Sequence, residues 1–184
     1  MLGAAVTWNI SNVGAIASVM GASYGVSLAA VGLLTTGLFA THLAVQIPGG
    51  RLIDRVGARE IGLASLAVVV VANALALLDA SLELGLAARV LMGLGTGAGF
   101  VAGIDLVRSG KGGPFWQGAY GGATMAAGGL ALMIVPQLVG SLDWRAPYWT
   151  GLALALLGAL PVLAAQREVE PRFAPSHTRP GREA

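Results

Sequence analysis

Gly50-Arg51-Leu52-Ile53-Asp54-Arg55-Val56-Gly57-Ala58-Arg59-Glu60 is the densest run of charge ahead of the C-terminal tail, and long apolar segments flank it on both sides. Bare backbone and ions are costly in lipid, so a tight charged turn between two membrane-length helices belongs at a water interface. Gly50 is expected to let two helices approach closely, and Gly57 to take the left-handed conformation of a short reversal. Asp54 suits a helix N-terminus, where carboxylates are favoured. Arg55 and Arg59 can pair with it or hold the run on the cytoplasmic side.

Composition points the same way. Apolar residues make up 55% of the chain and charged residues 11%, against about a quarter charged in a soluble domain. Mean hydropathy is +0.75. The chain has no cysteine, which excludes disulfide and thiolate chemistry. A net charge of +2 without a basic stripe gives no footprint for nucleic acid. No cofactor or metal motif is found, and no catalytic constellation beyond the one weighed below.

Outward from the charged run, six apolar spans are expected, each near the ~20 residues that cross the hydrocarbon. They are Met1–Met20, Leu28–Gln46, Ile61–Leu78, Leu84–Val107, Phe115–Val139 and Pro147–Ala165, with Gly21–Ser27 as a short polar link. The fold class is therefore an all-α membrane protein. Residues 1–165 form the helical bundle, and 166–184 form a polar cytoplasmic tail too rich in proline and charge to bury a core. No Lys or Arg precedes the first span, so a secretory signal fits poorly, and a late or missing start is expected.

If six spans alternate, Arg51, Arg55, Arg59, Arg108, Lys111, Arg167, Arg172, Arg179 and Arg182 all fall on one side. Arg145 alone falls in a loop on the other, with Asp79, Glu83 and Asp143. That bias sets both termini in the cytoplasm, in a plasma (inner) membrane.

The charged run resembles the signature loop between helices two and three of the major facilitator superfamily. The family pattern is Gly, three residues, Asp, a basic residue, any residue, Gly and two basic residues. Gly50, Asp54, Arg55, Gly57 and Arg59 match it, and Ala58 replaces one of the closing basic residues. Arg89-Val-Leu-Met-Gly93-Leu-Gly95-Thr-Gly97-Ala-Gly99 is similar to the fourth-helix motif, a basic residue followed by a glycine-rich face. The resemblance covers one half of a family member and implies a 3+3 inverted repeat, echoed by Pro48 before Asp54-Arg55 and Pro136 before Asp143-Trp144-Arg145.

The implied function is secondary transport of a small solute, driven by an ion gradient. A second six-helix bundle, a separate chain or a second copy, would complete the machine; the alternative is a fragment that transports nothing. The resemblance further implies a gate in which Asp105 joins Arg55 or Arg59, with nearby Arg108 as the competing partner. The Trp8-to-Asn12 patch followed by the Gly50 loop resembles small-anion or cyanate-type porters, and Arg89 would suit an anionic solute.

An arginine inside a membrane helix should face protein or a wet cavity; snorkelling outward past Glu83 is the other reading of Arg89. Polar residues sharing a helix face could line a path: Asn9 and Asn12, His42 and Gln46, and Gln117, Tyr120 and Thr124. Such residues also serve to bond neighbouring helices, the role expected of Asn73. His42 could titrate near neutral pH.

A rival class is an intramembrane serine hydrolase, from Gly21-Ala22-Ser23-Tyr24-Gly25 with His42 as base. That histidine should lie some four turns down the next helix, out of hydrogen-bond reach. Gly93-Leu94-Gly95-Thr96-Gly97-Ala98 loosely fits a dinucleotide fingerprint but follows no strand.

Overall fold

A computed structural model describes residues 1–109 and 113–164. Lys111 and the 166–184 tail, with Arg167, Arg172, Arg179 and Arg182, lie outside the described residues. The helices are α1 (Leu2–Ser11), α2 (Ala17–Tyr24), α3 (Leu28–Val56), α4 (Ala58–Ala76), α5 (Leu82–Ser109), α6 (Pro114–Ile134), α7 (Val139–Leu142) and α8 (Ala146–Ala164). Five runs are long and apolar enough to cross a membrane: Leu2–Tyr24, Leu28–Val56, Ala58–Ala76, Leu82–Ser109 and Pro114–Ala164. The last run holds both α6 and α8, joined by two 3₁₀ turns and α7.

Several boundaries differ from the sequence expectation, α6 ending at Ile134 and not Val139 among them, and two bear on the site. Gly21–Ser27 is not all link: α2 runs on to Tyr24, and Gly25 ends it with φ +66°. The interruption falls earlier instead. The ladder of α1 closes with the Asn12 N–H on the Trp8 carbonyl, and a 3₁₀ turn over Gly14–Ile16 follows.

The second difference is at the charged run. α3 starts at a serine cap, with Ser27 Oγ accepting from the Ala30 N–H at 3.3 Å. It does not stop at Gln46; it continues through Pro48 to Val56. Proline cannot donate to the ladder, so the Ala44 carbonyl loses its ordinary partner, yet flanking turns carry the helix on. Most of the charged run is thus helical, with Ile53 buried and Arg51, Asp54 and Arg55 exposed. The reversal is confined to Gly57, at φ +106° and ψ +148°. That region is essentially glycine's alone. Gly50 makes no close approach to another helix; the neighbouring Gly49 does, its missing Cβ position lying 3.6 Å from the Ala98 backbone.

α5 sits at the centre, packed on α3, α4 and α1; α4 packs on α8, and α1 packs on α6 and α8. Its glycines explain this. Side chains at Gly93 and Gly97 would run into the Leu38 and His42 carbonyls of α3. Gly95 meets the Ser65 carbonyl of α4 in the same way, and Gly99 sits against the side chains of Val6 of α1 and Ser65 of α4. Glycines four apart bring two backbones together on each of two faces of one helix. The outer surfaces of α3, α6 and α8 stay apolar and exposed, as at Leu43, Ile47, Phe115, Met133 and Leu160.

Candidate functional site

The interruption between α1 and α2 lies against Arg89 of α5, which is fully buried. Where a helix stops, its last carbonyls lose their i+4 donors. Here those of Asn9 and Ile10 would have been served by the Val13 and Gly14 N–H groups. Arg89 takes their place: Nη1 donates to the Asn9 carbonyl at 2.7 Å and Nη2 to the Ile10 carbonyl at 3.2 Å. Nη1 also approaches Asn12 Oδ1 at 3.5 Å and Met92 Sδ at 3.2 Å, and Nε the Leu34 carbonyl at 3.5 Å. The planar fork of a guanidinium can serve two adjacent carbonyls at once. A helix C-terminus carries partial negative charge, which partly neutralises the cation without a carboxylate.

The two asparagines extend this centre to α4 and α8. Asn12 Nδ2 donates to the Pro147 carbonyl at 2.7 Å, and Asn9 Nδ2 to the Ala5 and Gly151 carbonyls at 2.9 and 3.3 Å. Asn73 Nδ2 donates to Asn9 Oδ1 at 2.9 Å. Gly151 has no room for a side chain against those amides. Trp8 Nε1 donates to Thr150 Oγ1 at 3.1 Å, and the Tyr24 and Tyr148 hydroxyls meet at 3.2 Å. Asn9, Asn12, Asn73 and Arg89 are all fully buried. The structure thus sets Asn9, Asn12 and Arg89 in the protein interior, bonding helices, and not on an open wall or at the outer interface.

The other sequence candidates separate by helix. His42 is buried at the α3–α5 seam, its Nδ1 3.0 Å from Thr96 Oγ1, its ring between Phe39 and Phe100. Gln46, one turn on, is partly exposed. On α6, Gln117 is exposed and Thr124 is buried, donating back to the Tyr120 carbonyl. The Tyr120 ring wedges against Gly3 of α1 and Gly103 of α5, and its buried hydroxyl has no hydrogen-bond partner among the described residues.

At the end of the bundle where α3 and α5 finish, Gly50, Ile53, Asp54, Val101, Ile104, Asp105 and Arg108 line a cleft of about 190 Å³. The expected ion pair of Asp105 with Arg55 or Arg59 is not formed among the described residues. The Arg59 guanidinium is drawn elsewhere: it pairs with Glu60 at 3.5 Å and donates to the Leu163 carbonyl at 2.8 Å, capping the end of α8. Asp54 is exposed and caps no helix, α4 having no side-chain cap.

Comparison with known families now decides the class. The profile of the Major Facilitator Superfamily matches residues 1–183. The chain belongs to this superfamily. It is therefore a multi-pass membrane protein of a family that moves small solutes. A comparison with curated proteins gives no match. Within a superfamily member, the glycine run of α5 is a packing device and not a nucleotide loop. Ser23 lies inside α2, one residue before its end, and His42 is committed to Thr96, so the hydrolase geometry is not assembled. Asn73 bonds a neighbouring helix as expected, whereas the Arg89 cap and the break itself were missed in the sequence. Their signal was a pair of asparagines three apart, followed by Gly14, in an otherwise apolar run.

Proposed function

We propose that the chain is the N-terminal six-helix half of a secondary transporter. It would move a small solute along an ion gradient after pairing with a second six-helix bundle, a separate chain or a second copy. The observation that carries this reading is the packing scheme. Let α1–α2, α3 and α4 be the first three passes, and α5, α6 and α8 the next three. Exchanging the triplets maps α3 on α5 to α6 on α1, and α4 on α5 to α8 on α1. The pairs α1–α5 and α4–α8 map to themselves. Every major helix contact has its counterpart, which is what a 3+3 inverted repeat requires.

Two further features support it. Arg51, Arg55 and Arg108 are exposed near one end of the bundle, while Asp79 precedes α5, Glu83 sits in its first turn and Arg145 lies in the 3₁₀ turn before α8. The apolar outer faces of α3 and α6 suit lipid and the companion bundle. In this reading His42, Gln46, Gln117 and Tyr120 border the solute path, and Arg89 with Asn9, Asn12 and Thr124 shapes helices behind it. The cleft at Gly50, Asp54 and Asp105 is the cytoplasmic gate, with Arg55, Gly57 and Arg59 at its hinge.

The chain has no cysteine, so single cysteines report position cleanly. At Asp54 and Arg108 they are expected to react with an impermeant maleimide only from the cytoplasm, and at Asp79 and Arg145 only from outside. Labelling of Asp54→Cys from outside would overturn the orientation. The mass of the purified protein in detergent then distinguishes a self-paired dimer from a bundle awaiting another chain.

A further inference from the structure

We propose that the last turn of α8, from Pro161 on, is a swinging arm that Arg59 latches to α4, and that its other position is a crevice beside Tyr120. The proposal deepens the gate of the transporter reading and rests on that reading for its purpose, but not for its geometry. Arg59 is the second residue of α4. A cation there faces the positive end of its own helix, where it is disfavoured. The end of α8 supplies what α4 does not. Arg59 Nη2 donates to the Leu163 carbonyl at 2.8 Å, one residue before Ala164, where α8 ends. Glu60 completes the latch. Its Oε1 lies 3.5 Å from Arg59 Nη1, and its Oε2 lies 2.9 Å from the missing Cβ position of Gly57, so the carboxylate folds back over the reversal.

The arm has a joint. Pro161 lies inside α8 and has no N–H, so the Leu157 carbonyl lacks its ordinary donor. Sharp bends in helices fall at such prolines.

The arm also has somewhere to go. Pro161 and Val162 line a crevice of about 260 Å³ with Leu2 of α1, Gly103 and Val107 of α5 and Tyr120 of α6. Among the described residues, none of α4 belongs to that wall. Val162 stands at the boundary: it borders the crevice, and its Cγ1 lies 3.7 Å from the missing Cβ position of Gly62 on α4. Latch, joint and space thus meet in one turn of helix. Opening of the Gly57 reversal carries Arg59 away from the Leu163 carbonyl, and the arm then turns about Pro161 into the crevice. The state of the charged run is passed in this way to the chain beyond Ala164.

The test is the rate of disulfide formation between Val107→Cys and Val162→Cys in the full chain in lipid nanodiscs, with a chemical oxidant. The native chain has no cysteine to interfere. Arg59→Ala is expected to raise the rate about tenfold, the order of change that loss of one charge-assisted hydrogen bond brings to a two-state equilibrium. Pro161→Ala, added to Arg59→Ala, is expected to return the rate to that of the parent. An unchanged rate in a folded Arg59→Ala protein, or a rise that Pro161→Ala does not suppress, would overturn the proposal. Should Arg59→Ala fail to fold, Glu60→Gln loosens the latch without removing it and is expected to give a smaller rise; no rise counts against the proposal equally. No solute is involved, so an arm that swings in a chain shown not to transport would sink the transport reading and leave this one standing. An arm that stays put would leave the transport reading as it was.

Discussion

Arg89 Nη1 donates to the carbonyl of Asn9 at 2.7 Å, a contact between the early turns of the fourth pass and the broken end of the first. The same guanidinium reaches Ile10 and comes within 3.5 Å of Asn12. Arg89→Gln is expected to leave at least one of those carbonyls without a donor, at about 1–3 kcal/mol per orphaned group. Arg89→Lys should also lose stability, since an ammonium lacks the planar fork. Thermal unfolding in detergent checks both. A lysine variant as stable as the parent would show that charge alone, without two-pronged bonding, holds the break.

Asn9 and Asn73 form the side-chain link between the first and third passes. A double-mutant cycle of Asn9→Ala and Asn73→Ala is expected to give a coupling of about 0.6–1.7 kcal/mol, the range found for hydrogen bonds within membrane bundles. Additive losses would mean that the two amides serve only their own backbones, through the bonds to Ala5 and Val69.

Gly97 and Gly129 should answer differently to the same methyl group. At Gly97 the added carbon meets the His42 carbonyl and the Val45 side chain, whereas at Gly129 nothing lies within 4 Å. Gly97→Ala is expected to cost about 1–3 kcal/mol through overpacking. Gly129→Ala should be neutral or slightly stabilising, because alanine has the better helix propensity. Paired melting curves decide it.

Asp143 is the one non-glycine with positive φ among the described residues, at φ +53° and ψ −147°. Such a conformation stores about 1–3 kcal/mol of strain. Asp143→Gly is expected to raise the melting temperature, while Gly57→Ala at the opposite reversal should lower it. If Asp143→Gly destabilises, the carboxylate itself is holding the turn.

The legible parts of the fold were those fixed by local chemistry. Gly57 announced its positive φ because a tight reversal beside charge has few other solutions, and the apolar runs announced the helices by length. Pro48 misled, since proline ends most helices, but residues beyond it still had two buried positions, Gly49 and Ile53, to hold a further two turns. The break in the first pass was hidden because its cause lies 80 residues away, in Arg89. The neighbour of Arg59 was hidden for a similar reason. Arg59 finds the end of α8 nearer to hand, and no sequence spacing reveals that neighbour.

The order of these contacts along the chain matters for synthesis. Leu34, Asn9 and Ile10, whose carbonyls receive the guanidinium, are all made before residue 89. A growing polypeptide places its earlier passes first. The arginine thus enters a bilayer where its acceptors already wait, and need never sit bare among acyl chains. Permuting the gene so that the fourth pass is translated ahead of the first would remove that chaperoning by the nascent chain itself, and degradation before assembly is the outcome to look for.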